Sequence, residues 1–319
     1  MKIVFVLNHF LPQHIAGTEI YTWALSKALI INGHEIAVVI PNFDSAIPHK
    51  YEFEKIKVIS YNTNAQQDKE TIMGFKAPTG LDEFKNILNE INPDIIHFQE
   101  YSRGSGIGIE HIKIAKALNK IIVCTFHVAE YSCQTNELIY KGKEHCNGII
   151  NINKCSKCYL HKRKQGHLSP FLIPASNVLN CLKIDARRWG NKLGTALGTS
   201  QIIRNLKSNL SEAFSLSTKV IVLTEWYYSI LVNNKVPKQK LRLIKQGMPL
   251  IQSTKEKKTI QKSKLNLIFI GRINQEKGLH LLIDALLKLN KNDVELDIYG
   301  QTTDNSYEQD LKKRTRNFG

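Results

Sequence analysis

The sequence predicts an α/β protein built from two parallel-sheet domains, the second of them incomplete. Three observations predict it. Short β-branched runs alternate with helical stretches, the 319 residues suffice for two cores of ordinary size, and a charged segment without apolar period, Ser253 to Lys264, divides the chain. With 42% hydrophobic and 23% charged residues, wholesale disorder, a collagen-like repeat and a coiled-coil rod are excluded.

Lys2 to Leu7 (KIVFVL) reads as a buried parallel strand. A polar loop with Pro12 and Gly17 leads into a helix carrying Ile20, Trp23, Ala24, Ala28 and Ile31 at helical spacing; Gly33 ends it, and Glu35 to Ile40 is the next strand. The pattern returns with the strand Pro93 to Phe98, a helix around Ile109 to Leu118 and the strand Lys120 to Phe126, so a parallel sheet is expected. A cysteine-bearing loop and a basic helical insertion, 128–215, break the rhythm. Lys219 to Leu223, a helix from Glu225 and the strand Leu241 to Ile244 resume it. The boundaries expected are a first domain over 1–250, a linker over 251–264 and a partial domain over 265–319. This last holds the strand Leu265 to Ile270, an amphipathic helix Gly278 to Leu289 and the strand Val294 to Tyr299. It has about 55 residues where a domain usually needs ~100 or more.

No apolar run reaches the length of a bilayer span, and six cysteines are too few for a disulfide scaffold, so a cytoplasmic protein is expected. The net charge of +16 attracts phosphates of any origin, and residues 141–210 hold 13 Lys/Arg against 2 Asp/Glu. The plain alternative is a lysine-rich composition with solvated charges.

Gly-x-Gly-x-x-Gly does not follow the first strand, which disfavours a dehydrogenase. Ala16-Gly17-Thr18-Glu19 stands instead at a helix entry, where free N–H groups and the helix dipole favour a phosphate. From four residues alone, a plain glycine turn is the better reading. Gly271-Arg272-Ile273-Asn274-Gln275-Glu276-Lys277-Gly278 sets two cations and two glycines at the end of a strand, where ligands of parallel sheets bind. Guanidinium and ammonium donors there can neutralise a leaving diphosphate without a metal; a surface loop with a salt bridge to Glu276 is the alternative.

On "AGTEIYTWALSKALIINGHEIAVV", "PDIIHFQ", "KVIVLTEWYYSILVNNKVPKQKLRLIKQGM" and "LIFIGRINQEKGLHLLIDALLKL", the chain resembles the glycosyltransferases of family 4, which implies the GT-B fold of two Rossmann-like parallel-sheet domains facing a cleft. The resemblance implies retaining transfer of a sugar from a nucleotide-sugar donor to a glycan or lipid-linked acceptor, as in cell-surface polysaccharide or glycolipid synthesis, with no cofactor required for catalysis. It implies Gly271, Arg272 and Lys277 on the donor diphosphate, Gly17 in the loop facing it with Glu19 beginning the helix behind, and His127 near the transferred sugar. Ala16 replaces the family's commoner second glycine. The family also carries two glutamates eight positions apart late in the second domain; after Gly278 this chain has only Glu295 and Glu308, thirteen apart. A fragment, or a remnant inactive alone, is therefore a further expectation.

Cys133, Cys146, Cys155 and Cys158 are a separate set, with a C-x-x-C knuckle; four thiolates suit a structural zinc, and free thiols are an equal alternative. Cys124, inside a strand, is expected in the core. Lys162, Arg163, Lys164, Lys183, Arg187, Arg188, Lys192, Arg204 and Lys207 alternate with Leu179, Leu182, Ile184, Trp189, Leu193, Leu197, Ile202 and Ile203. That pattern fits a peripheral site on the anionic inner face of a membrane, and equally a stretch packed on the first domain. Nucleic acid is not an expected partner, since aromatic residues are not interleaved with the basic cluster for stacking.

Overall fold

The computed structural model describes residues 1–43, 48–64, 68–101, 106–247, 264–290, 292–302 and 305–316. Contacts divide the chain into two units, Met1–Ile251 and Gln252–Gly319. The expected linker, apart from Lys264, lies outside the described residues.

The first unit is an eight-stranded sheet. Its strands are β1 (Lys2–Val6), β2 (Glu35–Asn42), β3 (Lys50–Phe53), β4 (Ile56–Asn62), β5 (Ile95–Phe98), β6 (Ile121–Phe126) and, beyond a small hairpin of β7 (Ile139–Tyr140) and β8 (Glu144–His145), β9 (Lys219–Val222) and β10 (Leu241–Leu243). Their order across the sheet is β10-β9-β6-β5-β1-β2-β4-β3. The strands the sequence named all pair in parallel, as expected, and only β3 with β4 is antiparallel. The sequence reading passed over residues 50–91, where β3, β4, α2 (Lys69–Ile72) and α3 (Leu81–Ile91) lie. The signal in α3 was legible: Phe84, Ile87, Leu88 and Ile91 recur at helical spacing and are all buried.

β1 is apolar because both its faces are covered. Phe5 and Leu7 point to a layer closed by α1 (Gly17–Ile31), where Ile20, Trp23 and Leu29 pack. Val4 and Val6 point to the other face, covered by α3, α4 (Ile109–Ala117), α8 (Thr199–Leu216) and α9 (Glu225–Asn233) through Phe84, Ile112, Ile203, Leu210 and Leu231. Cys124 is buried in this layer, as expected. β1 pairs β2 on one side and β5 on the other, so the connections leave in opposite directions there. The loops after β1 and β5 thereby part at their carboxyl ends, the usual place for a ligand in an open α/β sheet.

The expected insertion proves to be two different things. Its last part is α8, an ordinary crossover helix between β6 and β9, and Ile202 and Ile203 are core residues of it, not members of an outward amphipathic stripe. Helical spacing alone could not tell them apart from the apolar positions upstream. The true insertion runs through α5 (Ile152–Lys162), α6 (Ser169–Cys181) and α7 (Lys192–Leu197), and is pinned to the body by Arg187. That guanidinium pairs with Asp185 (Nε–Oδ1 2.8 Å) and stacks on the Phe75 ring at 3.2 Å.

In the second unit β11 (Leu265–Ile270) and β12 (Val294–Tyr299) form a two-stranded parallel sheet. Helices α10 (Leu279–Leu286) and α11 (Asn305–Thr315) pack on one face through Leu279, Ile283 and Leu311. The other face presents Ile268 and Ile270 to solvent.

Candidate functional site

The carboxyl ends of β1, β5, β6 and β10 supply the polar groups of the first unit. Asn8, two residues past β1, donates its backbone N–H to Glu100, two residues past β5, at 2.6 Å, and its side-chain oxygen accepts from the Ile107 N–H at 3.0 Å. These bonds tie the two diverging loops together.

His127 lies one residue beyond β6, where the sequence placed it. Its Nε2–H donates to Gln99 Oε1 at 2.8 Å, and its Nδ1 accepts from the Gln246 amide at 3.0 Å, which makes the ring a neutral Nε2–H tautomer. Burial pushes its pKa down to about 4, so it stays neutral near pH 7. The Tyr21 ring meets it edge-on at 5.2 Å between centroids. Behind Gln99, His97 Nε2 is hydrogen-bonded with the Thr125 hydroxyl at 2.7 Å and faces Gln99 Nε2 at 3.4 Å. Burial, with His127 adding to it, lowers the His97 pKa to about 3. The Gln99 oxygen and the Gln246 amide thus fix which nitrogen of His127 carries the proton. Sequence reasoning missed Gln99, Gln246 and His97. Gln99 was within reach, because it follows the strand of "PDIIHFQ" directly; Gln246 was not, being 119 positions from its partner.

Gly17 is the first residue of α1, and a Cβ built on it meets nothing within 4 Å. Ala16 caps the helix with extended backbone (φ −146°), a conformation any residue adopts, so the replacement of a glycine there is tolerated. No side chain caps the helix, and its opening N–H groups lack helical acceptors. Glu19 points inward: it is buried, its Oε1 lies 2.8 Å from His14 Nδ1, and its Oε2 has no partner among the described residues. His14 in turn stacks on His9 at 4.7 Å. Burial lowers the His9 pKa, His14 lowers it further, and Glu19 opposes both. Glu19 therefore orders the loop before α1 and does not present itself at the helix mouth.

In the second unit, Gly271 follows β11, and Arg272 and Lys277 are exposed on the turn after it. Neither is held in an ion pair among the described residues, so the salt bridge to Glu276 does not form. Asn274 caps the short 3-10 turn Gln275–Lys277 by accepting from the Lys277 N–H at 3.2 Å, and Gly278 leaves it at φ +71°. Gly300, which sequence reasoning missed, is required by its neighbour: a Cβ there would collide with the Gly271 carbonyl oxygen.

Cys133, Cys146, Cys155 and Cys158 all line one small cavity beside the β7–β8 hairpin. Among the described residues, no three His, Cys, Asp or Glu side chains close into a metal cage. A larger cavity of about 420 Å³, lined by Lys207, Leu210, Phe214, Lys235 and Lys240, lies at the opposite, amino-terminal end of the strands β9 and β10.

Residues 15–166 match the family model Glycosyltransferase Family 4, and residues 251–319 match Glycosyl transferases group 1. Comparison with curated proteins gives no match. Among solved structures, Anabaena HepE in complex with UDP and glucose is similar over 100% of this chain and 66% of its own, at 13% identity and a TM-score of 0.54. Sucrose-phosphate synthase from Thermosynechococcus elongatus is similar over 99% of this chain and 67% of its own, at 13% identity and a TM-score of 0.58. The catalytic domain of starch synthase IV from Arabidopsis thaliana, bound to ADP and acarbose, is similar over 99% and 71%, at 12% identity and 0.54. The chain thus spans slightly under two thirds of the HepE structure it matches. With a glycosyltransferase model on each unit and this shared architecture, the chain is a family 4-like glycosyltransferase chain of the GT-B fold.

Proposed function

We propose that the chain carries the machinery of a nucleotide-sugar-dependent transferase that passes a sugar, with retention, to a glycan or lipid-linked acceptor in cell-surface polysaccharide or glycolipid synthesis. The observation that supports it most is the pair Arg272 and Lys277, exposed and without carboxylate partners among the described residues, on a turn bounded by two glycines. A diphosphate supplies what that turn lacks. The opening N–H groups of α1, with free space before Gly17, would receive anionic oxygen in the same manner. His127, neutral and held by two amides, is suited to hydrogen-bond a sugar hydroxyl or orient the acceptor, and not to act as a nucleophile. The chemistry would rest on stabilising the leaving diphosphate, the protein's part being preorganised donors.

Thermal unfolding across a set of nucleotide-sugars tests this directly. A donor at about a hundred times its dissociation constant stabilises by ~2.7 kcal/mol, and Arg272→Ala with Lys277→Ala should abolish that rise. A flat response to every nucleotide-sugar, or an unchanged rise in the double variant, refutes the reading.

A further inference from the structure

We infer that α6 and the turn following it form a docking face for an anionic lipid surface. The observation is a helix with its sides reversed. Phe171, Pro174, Ala175, Val178 and Cys181 are all exposed, with Leu182 at the C-cap continuing the series. Their spacing of i, i+3, i+4, i+7, i+10 and i+11 gathers them within an arc of about 120°. The opposite side is where the helix keeps its polar bonds. Buried Ser176 accepts from the Ser200 N–H at 3.0 Å, and Asn177 donates to Asn153 at 3.2 Å, beside Leu172 and Ile173 in a small core with Leu160. A surface helix ordinarily presents its polar residues outward. Here Phe171 is 78% exposed and Leu182 63%.

Charge selects the occupant. Between Lys164 and Gly198 stand four Lys/Arg and a single acidic residue, Asp185, which is taken by Arg187 and lies 3.6 Å from Arg188. Lys183, Arg188 and Lys192 are exposed and interleaved with exposed Leu182, Ile184, Trp189 and Leu193. Apolar side chains with an indole among them suit the boundary of headgroup and acyl chain, and the cations suit anionic headgroups. A second copy of the chain would bring like charge against like charge. The inference deepens the acceptor half of the function proposed above, and in that meaning rests on it, since a lipid-linked acceptor is met at such a surface.

The test is cosedimentation of the whole chain with phosphatidylcholine vesicles, with and without phosphatidylglycerol. Binding should rise with the anionic lipid and fall with salt. Lys183→Glu, Arg188→Glu and Lys192→Glu together should weaken it by about fivefold or more per charge removed. Phe171→Ser, Val178→Ser and Leu182→Ser should weaken it at any salt. All six side chains are exposed, so both triple variants should keep the melting temperature and the response to nucleotide-sugars. Binding that ignores phosphatidylglycerol, or that neither triple changes, overturns the inference. So does a dimer that the apolar triple dissociates without any effect on vesicles. Vesicle binding in a chain that no nucleotide-sugar stabilises would leave the lipid face standing and remove the transferase reading; a donor response without vesicle binding would do the reverse.

Discussion

Two glycines and one amide separate stability from ligand binding at single positions. Gly17 is helical with open space before it, so Gly17→Ala should leave the melting temperature unchanged or slightly raised, while the stabilisation by a nucleotide-sugar shrinks. An equal response of both variants to donor would remove Gly17 from the site. Gly300→Ala has the opposite character, because its Cβ would strike the Gly271 carbonyl; loss of protection of β11 and β12 in hydrogen exchange is the expected result. Gln99→Leu leaves the His127 Nε2–H without its buried acceptor, and should cost about 1–3 kcal/mol in urea unfolding. The resemblance named Gly17 and His127, but the amides that set the His127 tautomer come from two other strand ends, and pairing across such distances has no local trace.

At the scale of elements, the cysteine loop is the part whose chemistry the fold leaves most open to experiment. Lys141 donates its N–H to Cys158 Sγ at 3.3 Å, and the Lys154 ammonium lies 3.6 Å from Cys146 Sγ. Burial would raise the Cys133 thiol, but the Thr135 hydroxyl and the backbone N–H groups of Leu138, Thr135 and Glu137 outweigh it and hold its pKa low. Burial raises that of Cys155. Sulfurs provided with donors are suited to be thiolates, and we propose a structural zinc here, which requires the loop to draw its four cysteines closer together than they stand. About one zinc per purified chain, lost together with thermal stability in Cys155→Ser, is the expected result. Metal-free protein with four freely titrating thiols in this loop returns it to the alternative of free cysteines. The spacing of the cysteines was legible in the sequence; their meeting at one cavity needed the β7–β8 hairpin and α5 to be placed.

Across the whole molecule, buried neutral histidines govern the response to acid. Burial lowers the pKa of His97 and His111 to about 3 and of His127 to about 4, each below the ordinary 6.5 of an unfolded histidine. The unfolded chain therefore binds more protons than the folded one as pH falls, so the stability these groups contribute is present above about pH 6.5 and is lost progressively down to their folded values. Melting temperatures should fall steadily from pH 7 to pH 4.5. His111→Gln should flatten the fall, after allowing for its lost bond to Tyr61 at 2.7 Å; an unchanged slope would show that His111 is charged or exposed. By itself the sequence determined the α/β class, most strands of the main sheet, the two-part organisation and the loops that carry Gly17, His127, Arg272 and Lys277. Those follow from short-range patterns: the twofold period of strands, the 3.6 period of helices and glycines at turns. Only the tertiary structure decided that α8 belongs to the core while α6 turns its apolar side outward, and that Glu19 faces His14. A periodic pattern states that a helix has an apolar face, and what that face meets is fixed by the elements packed around it.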